Sequence, residues 1–118
     1  MNVKSLTKGL KYKGDAEGKR QTYYVFEGSG FYLVLSFKKD NRDAGNFNIV
    51  ESEAVEYVQK KFRGKTGITI KDVFSGSQKV RYFRRELEAL NVLYILVATK
   101  RARIDKRFKS QSLYFNIK

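Results

Sequence analysis

A chain of 118 residues in which 42% are hydrophobic and 14% aromatic carries far more apolar surface than a disordered chain, and it suffices for one domain with its own core. It contains no cysteine and no histidine, which excludes disulfides, thiolate metal sites, a thiol nucleophile and the commonest general base. Twenty-five Lys and Arg against 12 Asp and Glu leave a formal charge of +13, a balance that points to an anionic partner, nucleic acid first among them.

Residues 1 to 20, with "KGLKYKGDAEGKR" and Gly9, Gly14 and Gly18, show no period and read as loop with at most a short strand. The start "MNVKSLTKGLKYK" has no apolar segment of the kind that directs secretion. "TYYVFEGSGFYLVLSF" sets two β-branched and aromatic runs around Gly28, Ser29 and Gly30, the pattern of a tight hairpin. On the second run Phe31, Leu33, Leu35 and Phe37 share one face, and Tyr32, Val34 and Ser36 the other. "KKDNRDAG" reads as a turn, and "NFNIV" as a short strand.

From Glu51 the apolar spacing becomes helical through Val55, Val58 and Phe62, with Ser52 placed to cap and Gly64 and Gly67 to terminate. "TIKDVF" is a short helical piece in which Thr69 and Asp72 have capping-box spacing. After "SGS", the positions Val80, Phe83, Leu87, Leu90, Tyr94 and Val97 step by three and four, so a long helix is expected from residue 78. Residues 91 to 99 fit either the continuation of that helix, buried nearly all round, or a strand. Beyond Arg101 the apolar residues alternate at Ala102, Ile104 and Phe108, and again at Leu113, Phe115 and Ile117, which predicts two strands joined by "KSQS" rather than a solvated tail.

The charge concentrates in this last third. Residues 78 to 118 hold 11 basic and three acidic side chains, a balance of +8, whereas residues 1 to 50 carry +4 and residues 51 to 77 carry +1. A helix, a short helix, a small-residue turn, a basic helix and a basic hairpin resemble, over residues 49 to 118, the winged helix-turn-helix fold. In that family the helix after the turn enters the major groove and the hairpin, or wing, touches phosphates or the adjacent minor groove. The resemblance implies an α+β domain in which Lys79, Arg81, Arg84 and Arg85 line the reading helix and Arg103, Lys106, Arg107 and Lys109 the wing. Arg101, at the start of the hairpin, joins the candidate nucleic-acid-binding set.

Arg81, Arg84, Arg85 and Glu88 would fall on one helical face, suited to phosphates and guanine edges. The same spacing also suits a solvated face with an Arg84 to Glu88 pair worth a few tenths of a kcal/mol. Aromatics on the first hairpin suit base stacking, and "GSGFYLVLSF" is superficially similar to the aromatic strand of RNA-recognition motifs, but its register is wrong and a glycine is missing. Core packing accounts for them better.

A calcium loop counted from Asp40 places Arg42 and Ala44 at ligand positions and fails. "RGKTG" lacks the first glycine of a phosphate-binding loop, with Gln59 in its place. "EGK" at Glu17 to Lys19 has only Asp15 upstream as a nuclease partner, and Glu53 and Glu56 sit at a helix start where the dipole accounts for them. The expectation is a non-enzymatic, double-stranded DNA-binding domain, without cofactor or metal, cytoplasmic or nucleoid-associated, serving as a regulator or as the recognition module of a larger nuclease. The longest apolar runs, Phe31 to Leu35 and Val92 to Ala98, are too short to span a bilayer. RNA binding through the aromatic sheet and docking to an acidic protein are the alternatives.

Overall fold

The computed structural model describes residues 3 to 41, 45 to 107 and 113 to 118. A short helix α1 (Val3–Thr7) precedes a four-stranded antiparallel meander, β1 (Lys11–Glu17), β2 (Gln21–Glu27), β3 (Phe31–Lys38) and β4 (Gly45–Glu51). Three helices follow, α2 (Ser52–Phe62), α3 (Ile70–Gly76) and α4 (Glu86–Ala98), and then a two-stranded hairpin, β5 (Ala102–Ile104) with β6 (Phe115–Ile117). The architecture is α+β.

The period-two pattern of β2 and β3 decides how the sheet is used. Val25 lies opposite Val34, while Tyr24 lies opposite Leu35 and Phe26 opposite Leu33, so the two sets take opposite faces. Ala16, Val25, Tyr32 and Val34 form the inner face and share one core with Ala54, Val55, Val58 and Phe62 of α2 and with Val92, Leu93, Ile95 and Leu96 of α4. On the outer face stand Tyr24, Phe26, Leu33 and Leu35, continued on β4 by Phe47 and Ile49.

β1, read from the sequence as mostly loop, is a full strand with a bulge between Tyr12 and Gly14. Gly14 has φ +140°, and a Cβ there would run into the Ala98 carbonyl of α4. Only glycine lets the last turn of α4 come down on the sheet edge.

α2 starts directly from β4, and its N-terminus has no side-chain cap hydrogen bond, so the expected Ser52 cap is absent. The expected box on α3 is present: Asp72 N–H donates to Thr69 Oγ1 at 3.2 Å, and Thr69 N–H donates to Asp72 Oδ2 at 2.8 Å.

The long helix expected from residue 78 begins instead at Glu86. Arg85 is extended (φ −139°, ψ 156°), and Glu88 Oε1 accepts from the backbone N–H of Arg84 at 2.7 Å and of Arg85 at 3.0 Å. This closes the helix N-terminus, and a helix cannot propagate upstream through an extended residue. Residues 77 to 85 are turns and bends in which Tyr82 packs 5.6 Å from the Tyr57 ring. For residues 91 to 98 the answer is helix, with every position from Asn91 to Leu96 buried.

The C-terminal hairpin forms with Ala102 opposite Ile117 and Ile104 opposite Phe115. It is tied to the α2–α3 connection, where Ile68 and Phe115 exchange two backbone hydrogen bonds at 3.0 and 2.8 Å and Gly64 N–H donates to the Ile117 carbonyl at 2.9 Å. The expected "KSQS" turn lies outside the described residues. Among the described residues, no helix is long and apolar enough to cross a membrane.

Candidate nucleic-acid interface

The eight candidate cations among the described residues do not form one face. Lys79, Arg81, Arg84 and Arg85 stand on the turn segment before α4, and the hairpin follows α4. Thirteen helical residues rising ~1.5 Å each hold the two groups about 20 Å apart. Arg81 and Arg85 line a small cleft with Asn48, Ile49, Val50 and Glu51 at the β4 edge. Moreover α4 lies between α2 and α3 on one side and the strands on the other, with Ala89 and residues 91 to 96 buried. Only its first turn is open, at Glu86 and Leu87, and the residues from 78 to 85 are not helical, so α4 offers no continuous face to a major groove, which corrects the expected reading helix 78 to 90.

Within the hairpin each cation has its own fate. Arg101 is a structural clamp: Nε donates to Thr99 Oγ1 at 2.9 Å, Nη1 to Glu56 Oε1 at 2.8 Å and Gln59 Oε1 at 3.0 Å, and Nη2 to the Tyr32 hydroxyl at 3.2 Å. Its donors are spent on α2, β3 and the end of α4, so it leaves the candidate contact set. Arg107 forks onto Asp105, with Nη2 to Oδ2 at 2.6 Å and Nε to Oδ1 at 2.9 Å. Asp105 also accepts from Asn116 Nδ2 at 3.2 Å. The Arg107 hydrogen bonds hold the Asp105 carboxyl well below the usual carboxylate range, against the opposing effect of burial, and raise the Arg107 guanidinium in return. Arg107 remains largely exposed, so one carboxylate half-neutralises it without hiding it. Arg103 and Lys106 are exposed. Lys109 lies outside the described residues.

What the hairpin does build is a groove. Between it and the β1–β2 turn runs a depression of about 750 Å³ lined by Lys19, Lys100, Arg103, Lys106 and Lys118, with Val97, Ala102 and Ile104 as apolar floor. Three carboxylates also line it, and all three are engaged. Glu17 pairs with Lys39 at 2.9 Å, Asp105 with Arg107, and Asp15 accepts from the Tyr12 hydroxyl at 3.4 Å. The Lys39 contact lowers the Glu17 pKa. By contrast Lys100, Arg103, Lys106 and Lys118 form no ion pair among the described residues. Unmatched positive potential therefore sits in this groove.

A second depression of about 720 Å³ adjoins it, sharing Lys19 and Leu113, and adds Arg20 and Lys71 beside α4. Its floor is the stacked pair Tyr23 and Tyr94, with ring centroids 4.0 Å apart and planes 19° from parallel. Burial pushes the Tyr94 phenol above its ordinary value, and the neighbouring Tyr23 adds to the rise.

Lys19, Arg20, Lys71, Lys100 and Lys118 did not stand out in the sequence, because they come from the β1–β2 turn, α3, the α4 cap and the far side of β6. The one local signal was "EGKRQT", where two cations occupy a turn between strands. The first-hairpin aromatics expected in the core are divided: Tyr23 and Tyr32 pack inward, while Tyr24, Phe26 and Phe37 stand half-buried on the outer face, beside Tyr12 (51%), Phe47 (51%) and Ile49 (66%), which are exposed.

Comparison of the chain with protein-family models, with curated proteins and with solved structures finds no match, so the interface rests on its geometry and charge.

Proposed function

We propose that this chain is a non-enzymatic, winged-helix-like domain that binds double-stranded DNA through the groove beside its C-terminal hairpin. The observation that carries the reading is the set Lys100, Arg103, Lys106 and Lys118, gathered in one groove without ion pairs among the described residues, while two of the three carboxylates that line it, Glu17 and Asp105, are already paired and only Asp15 is left without a cation. Positive charge left unneutralised and held on rigid strands and turns attracts a polyanion and releases its counterions on contact.

Two features favour a duplex at this groove. Its cations are spread over two adjoining depressions, which suits rows of phosphates, and the tyrosines beneath the second, Tyr23 and Tyr94, are packed against each other rather than offered to bases. The order α2, α3, α4, β5, β6, with the hairpin bonded to the α2–α3 connection, also supports the winged-helix likeness. The mode differs from reading by a helix. With α4 enclosed, contacts fall on phosphates, so sequence preference is weak and affinity depends steeply on salt.

Titration of a blunt duplex at several salt concentrations tests this. If each of the four groove cations meets one phosphate, log K falls with log salt at a slope of roughly −4, and R103Q with K106Q reduces that slope by about two. A folded double variant with unchanged affinity and slope overturns the reading.

A further inference from the structure

Among the described residues nothing covers the outer face of the sheet fully: its centre at Leu33 and Leu35 is buried, but its margins are open. Besides the exposed Tyr12, Phe47 and Ile49, it carries a groove of about 610 Å³ lined by Tyr24, Phe26, Phe37, Leu35, Thr22, Lys38 and Lys39, with Val3 of α1 at the rim. Tyr24 and Phe37 meet edge to face at 6.1 Å, and Phe26 lies 5.3 Å from Tyr12. Aromatic rings in a row on a sheet, flanked by Lys38, which has no ion pair among the described residues, form the kind of platform on which unpaired bases stack while a phosphate meets the cation.

Three occupants compete for such a face. A second copy of this chain would bring two bodies of +13 together, and self-repulsion opposes that. An apolar protein partner has no use for Lys38 at the mouth, unpaired as it is among the described residues. A single-stranded polyanion suits both the rings and the charge.

The groove's position adds a second argument. Glu17 lines both this groove and the one beside the C-terminal hairpin, and there its charge is matched by Lys39 at 2.9 Å while the Thr22 hydroxyl donates to it at 3.3 Å. The two surfaces are therefore neighbours across the β1–β2 end of the sheet, with no unmatched carboxylate at the passage. We infer that the outer sheet groove holds the single-stranded extension of the duplex gripped by the hairpin groove, so that the chain recognises a junction between paired and unpaired nucleic acid. This rests on the duplex-binding reading for its other half.

The experiment compares a blunt duplex with the same duplex bearing a single-stranded tail that contains a fluorescent adenine analogue. Stacking on the rings quenches the analogue, and the tail tightens binding about tenfold over the blunt duplex. Y24L with F37L keeps apolar area but removes the rings; it abolishes both quenching and the tenfold gain and leaves blunt-duplex affinity unchanged. F47L, at an exposed position of the same face, serves where the double variant fails to fold, and it reduces the gain in part.

Equal affinity for tailed and blunt duplexes without quenching overturns the inference while the duplex reading stands. Quenching by a free tail with no binding to the blunt duplex overturns the duplex reading and leaves the sheet site in place. Concentration-dependent dimers in light scattering that F47K dissociates assign the face to a second copy, and that result also overturns the inference.

Discussion

Replacing Arg101 by Ala removes an internal clamp rather than a nucleic-acid contact. The guanidinium donates to Thr99, Glu56, Gln59 and Tyr32, joining the C-terminal end of α4 to α2 and β3. Glu56 is 63% exposed, so its ion pair is screened and worth about 0.5 kcal/mol. The three remaining bonds at ~0.5 to 1 kcal/mol each bring the expected loss to roughly 2 to 3.5 kcal/mol. Equilibrium unfolding in urea should show a lower midpoint with an unchanged slope, and E56A alone should cost well under 1 kcal/mol. Under conditions where R101A is folded, its duplex affinity should equal that of the parent. A stability loss below about 0.5 kcal/mol, or weakened binding with unchanged stability, would refute the clamp.

Lys100 adopts φ 64° in a Schellman-type end to α4, with Arg101 N–H donating to Leu96 O at 2.7 Å and Lys100 N–H to Val97 O at 3.1 Å. K100G should therefore raise the melting temperature by about 2 to 4 °C while reducing the salt slope of duplex binding by about one, a combination that misfolding cannot produce. G14A should cost at least about 2 kcal/mol, read by thermal unfolding, because a Cβ meets the Ala98 carbonyl at a left-handed φ. The Asp105 carboxyl titrates below its unfolded value, so its contribution is fully present above about pH 4 and is lost as pH falls through the folded value. Amide exchange of β5 and β6 should accelerate at acid pH before that of β3 does, and D105N should remove this difference.

How far the sequence revealed the fold depended on how local each signal was. The hairpin of β2 and β3 was legible because both runs alternate around Gly28 to Gly30, and the α3 box because Thr69 and Asp72 are neighbours. β1 was missed since "KYKGDAE" puts charges and a bulge glycine on an edge strand. The start of α4 was misread because Val80 and Phe83 keep helical spacing although they lie outside any helix, Phe83 packing against the core, and the extended Arg85 leaves no mark on periodicity. Residues 91 to 96 have no period to read, being buried on all sides. Of the site, Arg103 and Lys106 were visible as cations of a strand pair. Their companions Lys19 and Lys100 join them only because Gly14 lets α4 settle against β1, a tertiary approach that no local pattern encodes.

The central claim is that a duplex lies against the C-terminal hairpin groove, and lysine acetylation followed by mass spectrometry, with and without a blunt duplex, tests it most directly. Protection is expected at Lys19, Lys100 and Lys106, with Lys60 and Lys61 on the exposed face of α2 reacting as fast as in the free chain. Protection spread evenly over all lysines, or confined to Lys38 and Lys39, would contradict it.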